Sequence, residues 1–338
     1  MPASPLLASI VPAAVADLAG WRLAADFGDV EAEVAAAHES AILLDRSVYG
    51  RLAVGGPDAA AWLNRIVSND IAALAPGGGQ RAFLLTVKGH LACDLRVYRL
   101  AEGLLLTTAF DTAEGLLGQL RRFKLYGDRV ELADRRPDTV ELGLRGPAAL
   151  AVAAEVTGLD LGGLATPGVV EAGELLLLAT DELGLPGVDL IAPAARGAEL
   201  WRRLAPCARP AGWQAAEILR LEAGAPRWGA ELTPDVLPAE TGLDSALSHT
   251  KGCYPGQEFV ARLRDRGHVN RLLRPLAFAG EEVPARGSVL LAGEQTVGAV
   301  TSAARSPRLG VRALGYVRVA HAAPGTRLSC EGQAVEVL

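Results

Sequence analysis

The sequence lacks most of the features that would assign it at a glance. Its four cysteines, Cys93, Cys207, Cys253 and Cys330, lie far apart and form no C-x-x-C pair. That excludes a disulfide scaffold and a sequence-local zinc site, and leaves reduced thiols in a cytoplasmic setting as the expectation. No G-x-G-x-x-G or P-loop motif opens a helix, which removes the usual nucleotide-binding folds. No apolar run approaches the roughly 18 residues of a membrane span. The N-terminal apolar run carries an AVA-D resembling a cleavage site but has no basic residues before it, so a signal peptide is not expected. Lysine is also scarce: of 33 basic residues only Lys88, Lys124 and Lys251 are lysine, and two of these precede glycine. Where arginine is the default cation, a lysine points to a need for a compact, titratable ammonium. A net charge of −6 argues against a general nucleic-acid or anionic-membrane binder.

What is present suits a large core, since half of the 338 residues are apolar. VEAEVAAAHESAILLD reads as an amphipathic helix, SVYGRLAVGG as a strand, and PDAAAWLNRIVSNDIAAL as a helix. RAFLLTV, HLACDLRVYRL and LLLTTAF then read as a meander with KG and AEG turns. In its middle strand Leu91, Cys93, Leu95 and Val97 share one face and Asp94 the other, which makes Cys93 a core thiol. Helices and strand pairs alternate to about residue 222, and residues 225–250 read as an ordered connecting segment. From Arg271 short strands with glycine turns suggest a small β-barrel or sandwich. The pattern is antiparallel α+β, with a boundary that separates 1–270 from 271–338.

One stretch combines unusual residues: HTKGCYPGQEFVAR, from His249 to Arg262. Pro255 suits a first helical turn, so Cys253 falls just before a helix start, where amide groups favour an anion, with Lys251 two residues away. The thiol reads either as a reactive group or as a small filler in a glycine-rich turn. His249 with Cys253, and with His90, supplies too few ligands for a closed metal site. From His249 to Arg274 the balance is basic, which suits a carboxylate, a phosphate or an RNA backbone, or simply a solvated helix face.

KGCYPGQEFVAR resembles the K-G-C-Y-x-G-Q-E signature of the YgfZ-type folate-binding proteins, relatives of the glycine-cleavage T-protein, an aminomethyltransferase. HESAILLDRSVYGRLAVGGPDAAAWLNRIVSNDI, RLEAGAPRWGAELTPDVLPAETGL, GAVTSAARSP and ALGYVR resemble further segments of that family in order. The resemblance implies a three-lobed fold of two interleaved α+β lobes and a C-terminal β-barrel, with tetrahydrofolate as ligand. It implies that Asp94, after the KG turn, lies near the folate nitrogens, and that Glu222 binds the pterin, with Trp228 and Arg262 as further folate contacts. T-proteins lack the cysteine and the following G-Q-E, so Cys253, Gln257 and Glu258 favour the YgfZ branch.

That branch supports assembly, insertion or repair of iron–sulfur clusters in client enzymes, including enzymes that thiomethylate tRNA. The resemblance thus implies folate and iron–sulfur client or assembly proteins as partners. The motif Lys251, Gly252, Cys253, Tyr254, Gly256, Gln257 and Glu258 is then the functional segment, with Cys253, Lys251 and Asp94 in catalytic positions. The alternative is a folate-dependent aminomethyl or one-carbon transferase of the glycine-cleavage type.

Overall fold

The computed structural model describes residues 2–338. Two sheets and a closed barrel form its frame. The first sheet has six strands in the order Gly168–Ala172, Leu175–Thr180, Gly187–Pro193, Thr139–Arg145, Ile42–Asp45 and Arg209–Ala211. The second has five antiparallel strands, Gly79–Leu85, Leu91–Arg99, Leu104–Thr108, Gly50–Gly55 and Glu131–Asp134. Because the chain leaves the first sheet after Asp45, builds the second, and returns at Thr139, the two lobes are interleaved. Six antiparallel strands between Arg271 and Val337 close the barrel. The mixed α+β architecture with a terminal barrel is the one the sequence pattern and resemblance imply.

Hydrophobic patterning explains the layers. Helices Ala149–Thr157 and Gly197–Leu204 cover one face of the first sheet with Val152, Val156, Leu200 and Leu204, while Val34, Ala37, Ala215 and Leu219 from helices Val30–Glu39 and Trp213–Glu222 form a separate cluster with Ile42 and Leu44. In the second sheet Cys93, Leu95 and Val97 are buried on the face that also meets Leu63, Leu116 and Leu120, whereas a register shift between Leu84 and Leu85 moves Leu91 off the face expected from alternation and into a cluster with Phe83, Leu85 and Tyr254. Burial pushes the Cys93 thiol up to about 12, which makes it an inert core group. Tyr98 and Leu105 of this sheet meet Val169, Leu178 and Ile191 of the other.

Two helices are shorter than their patterns suggest. VEAEVAAAHESAILLD divides: the helix is Val30–Glu39, opened by Asp29, whose side chain accepts the Ala32 N–H, and Ile42–Asp45 is a strand. The β-branched and leucine run pairs with Thr139–Arg145 in the sheet, and this burial outweighs helical continuity. In PDAAAWLNRIVSNDIAAL only Ala59–Asn64 is helical. The Asn64 side chain accepts N–H groups of Ile71 and Ala72, and the Lys251 ammonium takes the carbonyls of Asn64, Val67 and Asn69, so the backbone groups beyond the helix have other partners. The N-terminal extension also has a place: Ala14–Leu18 and Trp21–Asp26 form a two-stranded ribbon.

The barrel is latched to the lobes by Glu222, the last residue of helix Trp213–Glu222. Its carboxylate accepts from Ser306 of the barrel, meets His38 Nε2 at 2.6 Å and lies 3.6 Å from Arg308. The side chain is only 5% exposed, so its oxygens rely on these partners for the solvation they have lost. Glu222→Ala is therefore expected to lower stability by about 2 kcal/mol, measured by urea or thermal unfolding. An unchanged midpoint would contradict the latch.

Candidate functional site

A cavity of about 1280 Å³, including its mouth, opens where the two sheets, helix Trp213–Glu222 and the segment Ala225–Trp228 meet. The N-terminal ribbon contributes Leu23 and Ala24 to its wall. One side is aromatic. Tyr49 and Phe110 pack edge to face at 5.6 Å, Phe110 and Trp213 likewise at 5.9 Å, and Trp228 and Tyr98 extend the lining. Flat rings presented in this way suit a planar ligand.

The other side is ionic. Arg46 joins Glu141 and Glu182, each at 2.8 Å, and Asp189 at 3.3 Å, while its guanidinium lies 3.9 Å from the centre of the Tyr49 ring. Arg145 bonds Asp189 at 2.7 Å, and Arg96 bonds the Thr180 hydroxyl at 2.5 Å. Burial works against the Glu182 charge, yet Arg46, Arg96, Arg145 and Arg81 outweigh it and bring this carboxyl down to about 2. Burial outweighs the nearby Arg46 at Tyr49 and raises its phenol to about 12, so the ring enters the cavity as a neutral hydroxyl.

Asp94 projects into the cavity from strand Leu91–Arg99, on the face opposite Cys93. Both of its oxygens accept from Arg81, from Nε at 2.7 Å and from the terminal nitrogen at 2.7 Å. This fork fixes the plane of the carboxylate and leaves each oxygen a further lone pair. Trp228 is also in the lining, but Glu222 and Arg262 are not. Glu222 faces the barrel, as its latch contacts show, and Arg262 lies on the exposed face of helix Gln257–Arg266, paired with Glu258 at 2.8 Å. The carboxylate that helix Trp213–Glu222 does present to the cavity is Glu217. Five residues turn a helix by about 140°, so the two glutamates cannot share a face. The sequence signal for Glu217 was this phase; Arg81, Arg227 and Glu182 carried no local signal, because strand pairing and loops bring them in.

The motif around Cys253 does not line this cavity; most of it holds lobes together. Lys251 sends its three ammonium N–H groups to the carbonyls of Asn64, Val67 and Asn69, so its charge is directed into the second lobe rather than at the thiol. Burial lowers this amine to about 8, opposed by Asp70. Tyr254 is buried among Phe83, Leu85, Leu273 and Tyr316, and its backbone N–H donates to Gln257 at 3.2 Å. Gly256 has φ +81°, and a Cβ there would meet the Thr86 carbonyl oxygen at 2.5 Å. Gly89, in the facing KG turn, has φ +78° and would likewise strike Phe259. Cys253 is exposed, as are Gly252 and Glu258. The basic balance of this region is largely absorbed, with Arg264 on Asp265, Arg271 on Glu240 and Arg274 on the Ala322 carbonyl. Among the described residues no three His, Cys, Asp or Glu side chains are grouped to hold a metal ion, and no helix is long and apolar enough to cross a membrane.

Comparison with known proteins agrees with this architecture. The GCVT N-terminal domain matches residues 11–251, and the glycine cleavage T-protein C-terminal barrel domain matches residues 271–337. The aminomethyltransferase of Streptomyces avermitilis is 33% identical, over 93% of this chain and 88% of its own length. That of Rubrobacter xylanophilus is 32% identical, over 91% of this chain and 83% of its own length. The crystal structure of the glycine cleavage system aminomethyltransferase T from Bartonella henselae superimposes with a TM-score of 0.91, at 27% identity, covering 99% of this chain and 96% of that one. Sequence, domain order and fold therefore agree that the chain belongs to the glycine cleavage T-protein (GCVT) family.

Proposed function

We propose that the central cavity binds a reduced folate, with tetrahydrofolate as the natural form, and that the chain performs folate-dependent one-carbon transfer of the aminomethyltransferase type. The observation that carries this reading is the pairing of a wall of aromatic rings with the fixed carboxylate of Asp94. The residues fit the ligand chemically. Flat faces of Tyr49, Phe110, Trp213 and Trp228 suit its ring systems, and Asp94 offers acceptors for ring N–H groups. The names of the curated relatives favour the same chemistry.

Tetrahydrofolate, when bound, supplies the nitrogen that carries a one-carbon unit. Asp94 orients ring N–H groups through the lone pairs that Arg81 leaves open, and its oxygens can take up a proton released in the cavity. Arg81 keeps the carboxylate in one plane, so little reorganisation is needed. The Thr108 hydroxyl braces the same strand by donating to the Asp94 carbonyl at 2.8 Å. Rings and buried ion pairs keep bulk water from the interior.

A second reading has its own observation, the exposed thiol of Cys253 in a segment whose neighbours are engaged in packing. In this reading the chain is of the YgfZ branch: Cys253 meets iron–sulfur client or assembly proteins, tRNA-thiomethylating enzymes among the clients, and the folate site serves that role.

Three measurements separate these statements. Titration calorimetry with tetrahydrofolate should give saturable binding that Asp94→Asn weakens tenfold or more, as expected for loss of a charged acceptor; no binding by the wild type removes the folate reading. Aminomethyl transfer from a lipoyl carrier protein should proceed with the wild type and be unaffected by Cys253→Ser; absence of turnover discards the transferase reading. Under the second reading, Cys253→Ser should lower the activity of cluster enzymes in cells while folate affinity is unchanged, and full activity in that variant would remove the thiol from function.

A further inference from the structure

We infer that Arg227 forms an anion subsite in the cavity wall and takes the carboxylate of the ligand's amino-acid tail, a step that rests on the folate reading above. The inference starts from the unequal engagement of the cavity arginines. Arg46, Arg81 and Arg220 each hydrogen-bond a carboxylate, and Arg96 bonds Thr180 within the field of Glu182. Arg227 differs. Its buried Nε has no hydrogen-bond partner, and its contact with a carboxylate is a long ion pair from that Nε to Glu217 at 3.5 Å.

Glu217 is committed elsewhere, since both of its oxygens accept from Arg220 in a two-pronged contact. Arg220 also bonds the fully buried Glu231, so this carboxylate pair is fixed within the wall. Asp111, the other acid whose charge reaches Arg227, forms no ion pair with it among the described residues. A guanidinium has five N–H groups, and here one of them, on a terminal nitrogen, donates to the Trp228 carbonyl at 3.1 Å.

The group is nonetheless held firmly. The Arg227 backbone N–H donates to Glu231 at 3.0 Å, and the guanidinium lies 5.0 Å from the centre of the Trp213 ring. A cation oriented by a ring and a carbonyl, with donors left over, is prepared for a carboxylate, which it can take in a fork. Its side chain is 28% exposed, against 9% for Arg46 and 5% for Arg220, which places it nearer solvent than those two. A folate inserted with its rings among the aromatic residues has a glutamyl tail that must leave toward solvent, and Arg227 adjoins both Trp213 and Trp228 on that wall.

Calorimetry with two probes tests this. Tetrahydropteroate has the same rings as tetrahydrofolate but no glutamate. The wild type should bind tetrahydrofolate at least tenfold more tightly than tetrahydropteroate. Arg227→Leu should lose that difference by weakening tetrahydrofolate alone, and Arg227→Lys should keep part of it. Unchanged tetrahydropteroate affinity in Arg227→Leu also reports an intact cavity. Equal affinity of the wild type for both probes overturns the anion subsite while leaving the folate reading in place. An equal loss for both probes in Arg227→Leu, or no loss for either, overturns it too. No binding of either probe by the wild type removes the folate reading and this inference with it.

Discussion

The structure depends on one buried cation, the Arg51 guanidinium, at the place where the chain passes between lobes. The side chain is fully buried and donates to the carbonyls of Ser47, Tyr49 and Thr139, to the Thr139 hydroxyl and to Glu141. Residues 46–49 carry the chain out of the six-stranded sheet, and residues 135–138 bring it back. One side chain on the first strand of the second lobe therefore binds both crossings. Burial lowers its pKa despite the opposing Glu141, which measures what the fold gives up to place a charge here. An arginine alone in such a position would be strongly destabilising, whereas five acceptors around a planar fork make it a specific lock. Arg46 and Glu141 continue the same network to the cavity surface. The ionic wall of the cavity is thus the exposed end of the interaction that holds the lobes in register, and its shape follows from the fold's own wiring.

This arrangement explains which parts of the site were legible in the sequence. Asp94 was readable because a strand has a period of two, so the apolar residues beside it fix its direction. Cys93 was readable as core for the same reason. The Arg81 partner was not, because it depends on the register between adjacent strands, in which Phe83 rather than Arg81 stands opposite Asp94. Glu222 and Glu217 illustrate the limit for helices. RLEAG stands out as a motif, but only the packing of helix Trp213–Glu222 between the first lobe and the barrel decides which glutamate faces the cavity. The barrel was visible as closely spaced short strands, while the N-terminal ribbon was not, since its exposed first strand lacks a clear apolar alternation.

The HTKGCYPGQEFVAR stretch was legible as unusual, yet its residues divide in a way that sequence could not show. Lysine suits position 251 because three backbone carbonyls converge there and a compact ammonium can donate to all of them. Glycine is needed at 256 because the backbone is left-handed and the Thr86 carbonyl presses on it. Tyrosine at 254 fills the seam between the second lobe and the barrel, with Leu273 and Tyr316. These three positions concern assembly of the lobes. Cys253 stands among them without a packing duty, and it has the solvent access that a core thiol such as Cys93 lacks.

The thiol and the cavity are separate, but one stiff path of backbone connects them. Gly256 rests on the turn Thr86–Gly89, where the Gly89 N–H and the His90 carbonyl both pair with Thr86. Strand Leu91–Arg99 leaves that turn, and Asp94 is its fourth residue. On the opposite side Tyr254 packs with Leu91, and the Leu91 N–H donates to the Val236 carbonyl. A force applied at the thiol segment therefore bears on the root of the strand that carries the Asp94 carboxylate, through close-packed contacts with little free volume. Such contiguity is not itself coupling, which requires two states that both sites bias. It does specify where coupling would act: at the close contact of Gly256 with the KG turn, where each glycine leaves room for the other segment and added volume on either side would shift both.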